Sequence, residues 1–141
     1  MIYVDTSAWI AHHTTETATA AVQSWFAQQV FSDLACSEWV KTEYASGLSL
    51  KMRRGELTDA QFSEAHQVFA ELCVAGPVWM AVEKQDFFEA ARLCVDFACG
   101  LRAGDALHLA VALRTRCRGF LSLDGVLNKN AARCGLHLIE L

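Results

Sequence analysis

The chain has 141 residues, 53% of them apolar and 20% charged, with a formal net charge of −4. That length buries a sizeable core and predicts one domain over residues 1–141. The composition excludes a disordered chain, and the acidic balance argues against a protein that coats nucleic acid nonspecifically.

The first predicted element is a strand, Ile2 to Asp5, in which an apolar run ends on a carboxylate. An apolar helical stretch follows from Ala8, so Asp5 suits a helix N-cap as well as a site at a strand end. A longer helix is expected from Thr19 to Phe31, then a strand from Leu34 to Cys36. Ser37 is expected to cap a helix reaching Met52, whose basic end (Lys51, Arg53, Arg54) complements the helix dipole. Thr58 opens T-x-x-Q, a capping box, ahead of a helix with Phe62, Ala65, Val68, Phe69 and Leu72 on one face. Pro77 to Val82 reads as the third strand, followed by helices at Glu83–Cys99 and Gly104–Arg116. Phe120 to Leu123 is the fourth strand, a short helix starts at Val126, and Leu136 to Ile139 is the fifth strand.

Strands alternating with helices predict an α/β fold, a mostly parallel five-stranded sheet covered on both faces. Such sheets bind ligands beyond the carboxyl ends of their strands, where the strand order reverses. Asp5 ends strand one and Asp124, in FLSLDG, ends strand four; as neighbours these strands would bring two acids into one crevice. Asp105, in LRAGDALHLAVAL, opens the helix leading into strand four, and Glu43, in SEWVKTEYASGL, lies in the helix after strand two.

Each acid also has an ordinary reading. Asp124-Gly125 makes a turn, Asp105 suits a helix's first turn, and Glu43 fits a solvated face paired with a Lys or Arg. Gathered together, however, four carboxylates would raise one another's pKa and need a cation to offset the repulsion. An oxygen-only donor set suits Mg2+ or Mn2+, which can polarise a phosphodiester.

His108, three residues after Asp105 on one helix face, is a metal ligand in principle but is expected to be packed and hydrogen-bonded, and Arg102 either binds a phosphate or neutralises the acids. His12 and His13 are expected at a helix end near solvent. The cluster Arg114, Arg116, Arg118 either complements a helix end or meets RNA phosphates. Six cysteines, none in C-x-x-C, read as small core hydrophobes of a reducing compartment. No stretch approaches the ~20 apolar residues that span a bilayer, and the N-terminus has no secretory pattern, so a cytoplasmic protein is expected. The four Trp and eight Phe leave apolar surface for a subunit or partner interface.

Four segments, IYVDTSAW, SEWVKTEYASGL, LRAGDALHLAVAL and FLSLDGVLNKNA, together resemble the PIN domain family in order and spacing, and in particular its VapC-type ribonuclease toxins. The resemblance implies a three-layer α/β/α fold and an endoribonuclease that uses Mg2+ or Mn2+ and a metal-held water. By resemblance Asp5 and Asp105 hold the metal, and Glu43 and Asp124 complete the metal and catalytic set. Ser122 fills the hydroxyl position ahead of the late acid and, with Arg102, is a candidate for substrate binding. After Asp124 the family often has a basic residue, whereas Gly125 and Val126 stand here.

The resemblance further implies an RNA substrate, a homodimer and a cognate antitoxin. The antitoxin would lie over the apolar helices near residues 20–70 and reach a basic side chain into the acid crevice. The alternative is a catalytically silent PIN-like module that binds RNA or a partner. A receiver domain would want an acidic pair where Asp5 is followed by Thr6, and a dehalogenase-type hydrolase would want D-x-D where D-T-S stands.

Overall fold

A computed structural model describes residues 1–141. Strands β1 (Ile2–Val4), β2 (Leu34–Ser37), β3 (Val78–Met80), β4 (Gly119–Leu121) and β5 (His137–Leu138) form one sheet in the order β3-β2-β1-β4-β5. Every pairing is parallel, and Tyr3 of β1 is in register with Ala35 of β2 and Phe120 of β4. The order reverses between β1 and β4, the neighbours that the sequence anticipates at the switch point.

Seven helices join the strands: α1 (Thr6–His13), α2 (Thr19–Phe26), α3 (Trp39–Arg53), α4 (Asp59–Ala75), α5 (Lys84–Cys94), α6 (Ala103–Arg114) and α7 (Gly125–Arg133). Alternation along the strands sorts them into two layers. Val4, Leu34, Cys36 and Leu121 point into a core shared with Trp9, Val22, Phe26, Tyr44, Leu48 and Phe69 of α1 to α4. Tyr3, Ala35 and Phe120 point the other way, into a core with Leu109, Val111, Leu127 and Ala131 of α6 and α7. Helix α6 is buried from Ala106 through Ala112, because α5 packs over its outer side through Ala90. Burying a large apolar side chain contributes roughly 1.5–3 kcal/mol, so these two clusters dominate the fold's stability.

Local signals behave as their chemistry predicts at two helix starts. Asp5 caps α1 by accepting from the Ser7 amide at 3.2 Å. Thr58 and Gln61 exchange both bonds of the capping box at the start of α4.

Ser37 is a correction. It is the last residue of β2, fully buried and in register with Met80 of β3, and Glu38 precedes α3 without a side-chain cap. Pairing to β3, including the bond from the Glu38 amide to the Met80 carbonyl at 2.9 Å, holds this segment in the sheet beyond its local preference.

His12 and His13 stand at a helix end as expected, though half-buried rather than solvated. They form the last turn of α1, but within an aromatic cluster: the His12 ring is 4.6 Å from that of Phe26, and His13 Nδ1 is 2.8 Å from the Tyr44 hydroxyl. Burial lowers both, and the neighbouring His12 helps bring His13 down to about 4.

Elements also end earlier than their apolar patterns suggest. Helix α2 stops at Phe26, and a 3-10 turn at Phe31–Asp33 leads into β2. Helix α5 stops at Cys94; Asp96 then caps a 3-10 turn at Phe97–Cys99, and Gly100 reverses the chain at φ 66°. The cysteines are all free thiols; Cys36 and Cys117 are buried, and the other four are half-buried. Arg114 is held by Asp86, Glu83 and the Ala81 carbonyl, which tie α6 to the start of α5. No helix is long and apolar enough to cross a membrane.

Candidate metal and active site

Asp5 leaves the carboxyl end of β1 and turns its two oxygens to different partners. Its Oδ2 accepts from the Ser7 amide, from Ser7 Oγ at 2.6 Å and from Ser122 Oγ at 2.9 Å. Its Oδ1 faces His108 Nε2 at 3.2 Å. One side chain therefore caps α1 and presents an oxygen to the crevice. The two serines are cross-linked in turn, since Ser7 Oγ accepts from the Leu123 amide and Ser122 Oγ from the Asp124 amide.

Glu43 reaches the same point from α3. Its Oε2 accepts from Thr6 Oγ1 at 2.7 Å and lies 2.5 Å from His108 Nε2. Behind it, the first turn of α6 comes close only because residue 104 is glycine; a Cβ there would stand 2.7 Å from Glu43 Oε1. Burial alone would raise the Glu43 carboxyl, but the hydrogen bond and charge of His108, with Thr6, lower it overall.

His108 is fully buried on α6, three residues beyond Asp105. Its Nδ1 is 2.8 Å from the Tyr3 hydroxyl, which accepts in turn from the Ser37 amide. Burial lowers the imidazole, but Asp5 and Glu43 outweigh it and hold the ring above its ordinary value. The expected packed and hydrogen-bonded His108 is present, and its partners are the acids of the crevice.

Asp105 and Asp124 form a second pair, joined by Arg102. The guanidinium contacts Asp105 Oδ2 and Asp124 Oδ2, each at 3.2 Å. The other Asp124 oxygen caps α7, accepting from the Val126 and Leu127 amides. Burial raises the Asp105 carboxyl; Arg102 opposes this, and the Asp124 and Asp5 charges add to the rise. Arg102 itself is 77% exposed on its side chain, open to an incoming anion.

The structure thus brings Asp5, Glu43 and His108 together, with donor atoms all within 4.8 Å of one another. Asp105 and Asp124 stand outside that group, joined to each other by Arg102, and Ser122 links Asp5 to the Asp124 backbone. Two carboxylates and an imidazole converging from β1, α3 and α6 are a donor set that fits a divalent cation. Thr6, Ser7, Tyr3 and Gly104 complete the pocket without having been singled out in the sequence; the only local signal was the hydroxyl pair of D-T-S.

Two of three comparisons with known proteins find relatives of this fold. The PIN domain family model matches residues 2–132. No curated protein matches the chain. Among solved structures, that of Mycobacterium tuberculosis VapC20, a sarcin-ricin loop cleaving toxin, superposes with a TM-score of 0.73 at 19% identity, covering 92% of this chain and 94% of that one. FitAcB from Neisseria gonorrhoeae gives 0.72 at 14% identity, covering 99% and 97%. VapBC2 from Rickettsia felis, bound to a DNA fragment from its promoter, gives 0.65 at 15% identity, covering 100% and 99%. At these identities the likeness is one of fold.

Proposed function

The chain belongs to the PIN domain family, and on that premise we propose that it is a metal-dependent endoribonuclease acting as the toxin of a toxin–antitoxin pair. The observation that carries the reading is the convergence of Asp5 and Glu43 at the sheet's switch point, with Asp105 and Asp124 alongside. The four acids are the proposed metal and catalytic set, and the ion is Mg2+ or Mn2+. Bound there, such an ion polarises a phosphodiester and acidifies a water.

The chain's own groups supply the rest. Ser7 and Ser122 fix the Asp5 carboxylate so that Oδ1 faces the crevice. Thr6 fixes Glu43 in the same way. Arg102, exposed and steered by Asp105 and Asp124, presents its guanidinium where an RNA phosphate would enter.

The FitAcB and VapBC2 structures among the neighbours support an antitoxin partner, which on this reading lies over the helices near residues 20–70. Exposed Phe87, Phe88, Val95 and Phe97, at and beyond α5, support a separate self-association surface. The cytoplasm is the proposed compartment, in keeping with six free thiols.

The test is cleavage of RNA by the purified chain. Cleavage is expected with Mg2+ or Mn2+, to stop under chelation, and to be lost in Asp5→Asn and Asp105→Asn. Asn caps a helix as well as Asp does, so Asp5→Asn removes the charge while keeping α1 capped. Cleavage that survives both substitutions overturns the reading.

A further inference from the structure

Resting on the ribonuclease reading, we propose that His108 is itself a ligand of the metal, its Nε2 joining Asp5 and Glu43, and that it selects Mn2+ over Mg2+. The geometry points one ring nitrogen at each job. Nε2 faces the acids, 3.2 Å from Asp5 Oδ1 and 2.5 Å from Glu43 Oε2, while Nδ1 faces Tyr3. Adjacent ligands of an octahedral ion with bonds near 2.1 Å stand about 3 Å apart. The two separations at Nε2 bracket that value.

Behind the ring, a chain of buried groups suits a metal-bound imidazole. With Nε2 on an ion, the ring proton is on Nδ1 and is donated to the Tyr3 oxygen, which already accepts from the Ser37 amide. The Tyr3 hydroxyl proton then needs an acceptor of its own. Ser37, whose amide already reaches the Tyr3 oxygen at 3.3 Å, is fully buried, and its Oγ makes no hydrogen bond. The relay Nδ1–H to Tyr3 O–H to Ser37 Oγ satisfies this orphan and holds the ring's orientation, as outer partners of metal-bound histidines do. An imidazole nitrogen suits transition ions, whereas Mg2+ takes oxygen ligands and keeps its waters.

The experiment adds Mn2+ alone to the full chain and records pulsed EPR spectra with a binding titration. Imidazole nitrogen coupling to the bound ion is expected. His108→Asn should remove it and weaken Mn2+ binding about tenfold or more, with little change for Mg2+. If His108→Asn fails to fold, the wild-type spectrum decides by itself. Bound Mn2+ that shows no nitrogen coupling, yet is lost in Asp5→Asn, overturns the proposal and leaves a carboxylate-only ribonuclease standing. Absence of any Mn2+ binding, with no metal-dependent cleavage, overturns both.

Discussion

Glu43 Oε1 lies 2.7 Å from where a Cβ on Gly104 would stand, and Trp39 Nε1 lies 3.3 Å from the same point. The glycine is therefore a seat for the carboxylate rather than a flexible joint. In Gly104→Ala the end of the Glu43 side chain is the part free to yield, so it should swing off Thr6 and His108 while the fold stays. Ala is the better helix former by up to about 1 kcal/mol, which offsets part of the cost of the lost Thr6 and His108 bonds, so the thermal midpoint should fall only slightly. Mn2+ affinity, measured by calorimetry, should fall about tenfold, as for other groups that orient a ligand. Unchanged affinity would show that Glu43 does not depend on this seat.

Ser122 is expected to matter through Asp5. Its hydroxyl donates to Asp5 Oδ2 at 2.9 Å and accepts from the Asp124 amide at 3.0 Å, in a buried position. Ser122→Ala leaves that amide without a partner and gives the Asp5 carboxylate freedom to turn. About 1–3 kcal/mol of stability should be lost. Steady-state cleavage of an RNA oligonucleotide should show kcat falling about 10- to 100-fold, with KM moving less. Ser122→Thr keeps the hydroxyl and should recover most of the loss.

The features legible in the sequence are those set by neighbours in the chain. The apolar run ending at Asp5, the T-x-x-Q of Thr58 and the regular alternation of strand and helix contain their own geometry, and the alternation implies parallel pairing; the adjacency of β1 and β4 is a condition that the structure supplies. What could not be read is set by partners far along the chain. Ser37 is held in the sheet by Met80, and His12 and His13 pack against Phe26, Tyr44 and Phe69 from three other helices. The partners of His108 could not be read for another reason. Helix α6 is buried on every side, so its apolar periodicity does not say which face meets the acids.

Acid should weaken the fold through His13. Burial and the adjacent His12 bring His13 from 6.5 to about 4, beneath the Tyr44 hydroxyl. A base depressed in the folded state takes up its proton first in the unfolded chain. The stability it contributes is thus complete above pH 6.5 and lost as the pH falls from there toward 4. A shift of that size corresponds to at most about 3 kcal/mol. His108 runs the other way: raised by Asp5 and Glu43 against its burial, it favours the fold at low pH and loses that contribution as pH rises. Urea unfolding near neutrality and near pH 4 should show a large drop in the wild type and a smaller one in His13→Gln.

Self-association should depend on the aromatic patch of α5. Phe87 and Phe88 of α5 are 57% and 68% exposed, and Val95 and Phe97 beyond its end are 80% and 94% exposed. Phe88 has little packing to lose within its own chain, so Phe88→Glu should change stability by no more than about 0.5 kcal/mol. Light scattering should give a dimer for the wild type and a monomer for the variant. A wild-type chain that is monomeric at high concentration would refute the self-association surface.

Arg102 separates two roles that most substitutions in this crevice would confuse. Its guanidinium lies between Asp105 and Asp124 and is itself largely exposed, so it both offsets their charge and faces incoming phosphate. Arg102→Ala takes a positive charge away from the acids. A divalent cation then meets a more negative pocket, and Mn2+ affinity should rise modestly, by an amount that shrinks as salt is added. RNA loses a phosphate contact in the same variant, so KM should rise, and the salt dependence of RNA binding should flatten by about one contact. Tighter metal with weaker RNA is the expected signature. If both weaken together, Arg102 orders the site as a structural brace, and its exposed position has no bearing on the substrate.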